Sequence, residues 1–170
     1  MKLIKTATVA AALLLAGSAA PAAAAQTTAP ATTHTAAPAR CSADQLKASL
    51  GRIDAGAGRR TAQVHLANVS SRTCWLRGYP GLVLFDASGD VLRTRPRRAP
   101  GTVKKVTLRP GGRAKLSLTW GTVPTGAERT CPSAAELMLM LPDDFAYRSI
   151  HARFGTICDQ GRVNFGPISA

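Results

Sequence analysis

Ala114, Leu116, Leu118 and Trp120 alternate with Arg113, Lys115, Ser117 and Thr119. No other feature restricts the fold of this chain as strongly. A period of two sends the apolar set to one face and the polar set to the other, which defines a half-buried strand. Thr61–Val69 repeats the pattern, with Ala62, Val64 and Leu66 inward and Gln63 and His65 outward. Leu82–Phe85 is continuously apolar, as in a central strand. Asp86–Asp90 after it predicts a hairpin turn into Val91-Leu92. Arg109-Pro110-Gly111-Gly112 supplies a fixed φ and then a permissive one, a tight turn between Val103–Leu108 and the Arg113 strand. Leu137–Leu141 is apolar on both faces, and Pro142-Asp143-Asp144 turns it towards Tyr147–Phe154. Val163–Ile168 closes the chain. Seven to nine short strands, with turn signals roughly every ten residues, predict an all-β, antiparallel sandwich or barrel. Ser42–Leu50 also admits a helix capped by Ser42, but a strand or an irregular lead-in is the preferred reading.

The N-terminus bounds the compartment. Lys2 and Lys5 precede the apolar run Val9–Leu15, and Ala23-Ala24-Ala25 offers a small-residue cleavage site. This order reads as a secretory signal over 1–25 rather than as a membrane anchor. Leu15-Ala16-Gly17-Ser18 resembles a lipoprotein box, but Ser18 stands where a lipidated cysteine would be, so no lipid anchor is expected. Gln26–Arg40 is Thr, Ala and Pro throughout and has almost nothing to bury; it reads as a flexible linker, with O-glycosylation of its threonines as the alternative. The folded domain is expected over 41–170. Net charge is +13 for the whole chain, and without Lys2 and Lys5 twenty basic residues face nine acidic ones. Such a field favours anionic partners.

Four cysteines in an exported chain predict two disulfides. If the Leu46 strand runs antiparallel to the Thr61 strand, Cys41 falls beside Cys74. If Leu137–Leu141 and Tyr147–Phe154 form a hairpin, its open end brings Cys131 to Cys158. The expected pairs are therefore Cys41–Cys74 and Cys131–Cys158. A zinc site is disfavoured because no C-x-x-C pair exists. Met138 and Met140 lie at strand spacing and read as core, since His65 and His151 offer no ligand spacing for copper. Asp86-x-Ser88-x-Asp90 opens like a calcium loop, but Val91 and Arg97 stand where Gly and Glu are needed. Neither a metal nor another cofactor is expected.

Asn68-Val-Ser-Ser-Arg-Thr-Cys74-Trp-Leu-Arg-Gly78-Tyr79-Pro80-Gly81 joins Cys41, Val106-Thr-Leu-Arg-Pro110-Gly111, Cys131-Pro132 and Cys158 in one pattern. The pattern resembles the actinobacterial secreted family known as domain of unknown function 4232, over Cys41–Ile168. The resemblance implies an exported, immunoglobulin-like β-sandwich. The family has no assigned activity, so no catalytic residue carries over, and Ser18 departs from its lipoprotein members. On the residues alone, Asn68 ends a strand where its side chain can bond the backbone of the turn, a structural corner closed by a disulfide.

Arg93, Arg95, Arg97, Arg98, Lys104, Lys105, Arg109, Arg113 and Lys115 fall within 23 residues, and no acid occurs between Asp90 and Glu128. One reading is a solvated or edge-protecting face. The other is an anion-binding patch, with arginine forks suited to phosphate and carboxylate. The stretch has no aromatic residue on which bases would stack, so specific nucleic-acid binding is not expected. The leading expectation is a monomeric, non-catalytic binding or adhesion module of the cell envelope. Arg93, Arg95, Arg97, Arg98, Lys104, Lys105, Arg113 and Lys115 would contact anionic wall or membrane polymers. A second reading is a protein-binding factor such as a protease inhibitor, using the Gly121–Cys131 loop and Arg129. A third is a hydrolase using Glu128 or Glu136.

Overall fold

A computed structural model describes residues 37–170. The expected signal segment and the linker as far as residue 36 lie outside the described residues. Eleven strands follow in order: β1 (Ala39–Arg40), β2 (Leu46–Gly56), β3 (Arg59–Asn68), β4 (Cys74–Leu76), β5 (Gly81–Phe85), β6 (Arg95–Arg98), β7 (Val106–Leu108), β8 (Arg113–Gly121), β9 (Ser133–Met140), β10 (Tyr147–Thr156) and β11 (Arg162–Phe165). The Ser42–Leu50 segment is a single 3₁₀ turn, Ala43–Gln45, running into β2. Ala39–Arg40, read as the end of the linker, pairs with Cys74–Trp75 and so belongs to the fold.

The strands form three sheets, ordered β2-β3-β8-β11-β6, β10-β9-β5 and β1-β4-β7. Most neighbours are antiparallel, but β6–β11 and β1–β4 run parallel. Alternation sends Ala62, Val64 and Leu66 of β3 and Ala114, Leu116, Leu118 and Trp120 of β8 inward, where all are buried. They meet Leu82, Leu84, Leu137, Leu139 and Phe154 from the β10-β9-β5 sheet in one continuous core. Trp120 and Phe154 cross edge to face, with centroids 6.1 Å apart. Two layers sharing one apolar interior make this a β-sandwich.

Both expected disulfides are present, Cys41–Cys74 and Cys131–Cys158. The first follows from the β2–β3 pairing, which opposes Leu46 to Asn68. The second closes the open end of the β9–β10 hairpin. The Asp86–Asp90 turn forms because the Asp86 Oδ1 accepts the Ser88 and Asp90 amides at 2.8 and 2.9 Å. Val91 then bridges back to Phe85. The Arg109–Gly112 turn also forms, closed by the Gly112 amide on the Arg109 carbonyl at 2.7 Å. The strands it joins lie in different sheets, β7 beside β4 and β8 beside β3, so it is a corner between layers.

Candidate functional site

The strands β3, β8, β11 and β6 contain no Asp or Glu, although they are consecutive neighbours in one sheet. Their outward side chains are therefore free of carboxylates, and apart from Ala67 the outward positions of β3 between Arg59 and Ala67 are polar or cationic. Register decides which of them meet. Lys47, Ala67 and Arg113 stand in one row across β2, β3 and β8, and Ser49, His65 and Lys115 form the row beside it. Directly opposed residues on adjacent strands are about 5 Å apart, so Lys47 and Arg113 straddle Ala67 with about 10 Å between their stems. The small Ala67 side chain leaves the space between them open. Together with Ser49 and His65 they line a depression of about 310 Å³.

The depression is shaped by an irregularity in β2 between Leu50 and Ile53. Gly51 sits there, and a Cβ on it would come within 2.9 Å of His65 Nε2. The missing side chain lets the imidazole lie across β2 beside Ser49. Lys47, Arg113 and Lys115 are exposed, His65 is half-buried, and among the described residues none of the four makes an ion pair. An anion here meets two or three cations without displacing a carboxylate.

The basic stretch does not form one patch. The fold divides it into three groups. Arg113 lines the depression, and Lys115 stands beside it opposite His65. Arg95, Arg97 and Arg98 lie on β6, the last strand of its sheet, together with Pro96. Proline and arginine on an edge strand block pairing with another chain, the role expected of an edge guard. Arg95 is further tied to its neighbour, Nε donating to the Gln160 carbonyl at 3.1 Å. Arg98 turns to the other side of the sheet and covers the Tyr79 ring at 5.3 Å. The third group surrounds the small sheet, where Lys105 Nζ and the Arg40 guanidinium approach the Trp75 ring at 4.6 and 4.4 Å. Lys104 precedes Lys105 in an exposed segment, and Arg93 is exposed ahead of β6.

Lys47 and Arg40 escape a reading of the stretch because they are distant in the chain. His65 was identifiable as an outward residue, but only the register with Lys115 gives it a role.

The glutamates are separated by function. Glu128 accepts backbone amides from Thr125 and Asp159, both at 2.9 Å, and from Gln160. These bonds, led by the Thr125 amide, hold its carboxyl below the ordinary glutamate range. A carboxylate held ionised in this way clamps a loop and is poorly suited to donating a proton. Glu136 lies on β9 with His151 Nδ1 at 3.6 Å. Among the described residues no three His, Cys, Asp or Glu side chains are grouped as metal ligands.

The fold and the outer face thus define a disulfide-bonded β-sandwich with a cationic sheet surface on which four of the five strands carry no carboxylate. The chain belongs to the family described as domain of unknown function (DUF4232), whose model matches residues 41–169. No curated protein matches it.

Proposed function

We propose that this domain is an exported binding module for anionic polymers, which it holds through the depression between β2, β3 and β8. Lys47, Arg113 and Lys115 supply the charge. His65 and Ser49 supply hydrogen bonds, and Ala67 supplies the room. The observation that carries the reading is the row Lys47–Ala67–Arg113, in which two unpaired cations flank a small residue on a concave surface. Guanidinium and ammonium groups spaced in this way suit successive phosphates or carboxylates of a wall polymer. Export is supported by the two disulfides, which persist in oxidising compartments. Among the described residues no helix is long and apolar enough to cross a membrane. The decisive test is retention on immobilised glycerol-phosphate polymer. Retention should weaken steeply with salt and be lost on Lys47→Ser with Arg113→Ser; retention unchanged by salt or by this double substitution refutes it.

A second reading has its own support. The Gly121–Cys131 loop is fixed at one end by the Cys131–Cys158 bond and within by the Glu128 clamp, and it presents an exposed Arg129. A rigid loop offering arginine suits the specificity pocket of a trypsin-like protease, because preorganisation removes the ordering cost of binding. Stoichiometric inhibition of such a protease, lost on Arg129→Ala, is its test.

A further inference from the structure

The turn between β9 and β10 carries the most exposed large apolar residue described. Phe145 is 100% exposed. Nothing in the fold explains an aromatic ring held wholly in water, since covering it would remove apolar surface from solvent. Tyr147 is 52% exposed two residues later, and Val103 is exposed across the way. Between the turn and the Gly78–Gly81 segment runs an open groove of about 630 Å³, lined by Arg40, Arg77, Arg98, Tyr79 and Phe145 among others.

The groove depends on the glycines of the Gly-Tyr-Pro-Gly segment. Gly78 has φ of 115°, and a Cβ on Gly81 would press against the Met140 side chain. Both acids of the turn are already engaged. Asp143 pairs with Arg40 at 2.6 Å, and the Asp144 Oδ1 accepts the Ala146 amide at 3.0 Å. Among the described residues Arg77 and Arg98 make no ion pair. The tip therefore presents an apolar ring beside one carboxylate without an ion pair, Asp144, and the two unpaired guanidiniums of Arg77 and Arg98 line the same groove and outnumber it. A surface that is anionic outside and apolar beneath matches this set of groups.

We infer that the groove end of the sandwich docks onto an anionic lipid bilayer, Phe145 entering the boundary between headgroups and acyl chains while Arg77 and Arg98 meet phosphates. This contact uses neither the Lys47–Arg113 depression nor the Arg129 loop, so it stands or falls apart from them.

Co-sedimentation of residues 37–170 with vesicles tests it, because these residues contain the whole family-matched domain. The vesicles are equimolar phosphatidylglycerol and phosphatidylcholine, or phosphatidylcholine alone, at physiological salt. Binding to the mixed vesicles is expected, with little to the neutral ones. Phe145→Ser should weaken it about tenfold, the scale for removing one buried aromatic ring. Phe145→Leu should retain most of it, and Arg77→Ser with Arg98→Ser should weaken it severalfold. Phe145 is wholly exposed, so its variants keep the core intact, and an unchanged circular dichroism spectrum checks the arginine double variant, which loses the Arg98–Tyr79 contact. A wild-type protein that stays in the supernatant overturns the inference, whatever Phe145 does with a soluble partner. So does a Phe145→Ser variant that sediments like wild type, since the attraction would then be charge alone.

Discussion

The Asn68 side chain donates from Nδ2 to the Leu108 carbonyl at 3.0 Å, joining the end of β3 to the end of β7. Its second amide hydrogen goes to the Arg72 carbonyl at 2.8 Å, and its Oδ1 accepts from the Ser70 amide and hydroxyl at 3.0 and 2.8 Å. Asn68 is the buried polar residue of the core, 1% exposed. Its backbone bonds both glycines of the Arg109–Gly112 corner. Every polar atom of the amide is thus used. Asn68→Ala removes the side-chain partner of the Leu108 carbonyl and of the Ser70 amide, while the Arg72 carbonyl keeps the Ser70 hydroxyl, and should cost about 2–4 kcal/mol in urea unfolding. Asn68→Asp should cost at least as much, because an acceptor replaces the donor that faces two carbonyls.

Gly161 holds the edge strand. Its φ is 75°, and a Cβ there would run into the Arg93 carbonyl. Its own carbonyl accepts the Arg95 amide at 2.7 Å, the first bond of the β6–β11 pairing. Gly161→Ala should destabilise the domain by about 2 kcal/mol or more, from the strained conformation alone. Hydrogen exchange should show the amides of Arg95–Arg98 losing protection first.

Glu128 confers a pH response. Its folded-state pKa lies below the ordinary value, so its contribution is complete above that ordinary value and is lost as pH falls through the lowered one. Acidification into that range should release the amides of Thr125, Asp159 and Gln160. Their NMR shifts should titrate together. Glu128→Gln should abolish the joint titration and loosen the Arg129 loop at neutral pH.

Shape and charge at the depression are separable. Ala67→Leu adds no charge but fills the gap between Lys47 and Arg113. If the cradle binds polyanion, this substitution should weaken binding to glycerol-phosphate polymer severalfold and leave its salt dependence nearly unchanged. Lys47→Ser should lower both the affinity and the salt dependence. Equal affinity for Ala67→Leu and wild type in a filter-binding titration would mean that the face attracts anions only diffusely.

The β2–β3 and β9–β10 pairings, and with them both disulfides, were legible because their partners are close in the chain and separated by a turn. The inward sets of β3 and β8 were equally plain. Pairings between distant segments left no local trace. Nothing about Arg95–Arg98 announces that it lies parallel to Arg162–Phe165, and turn chemistry at Arg109–Gly112 does not say which sheet the next strand joins. The same limit applies to the site. Nine cations adjacent in sequence are dispersed by strand changes between layers, whereas Lys47 and Arg113, far apart in sequence, are brought into one row by register.

The route by which the chain enters the domain also has a mechanical consequence. Ala39–Arg40 lies along β4, and the next residue is covalently joined to Cys74. Tension applied ahead of residue 39 passes directly from Cys41 to Cys74 through sulfur. Residues 42–73, which hold β2, β3 and half of the anion cradle, lie outside the load path. A domain pulled by its N-terminal side therefore keeps the β2 and β3 half of this surface, with Lys47, Ser49 and His65, off the load path for as long as that bond is intact.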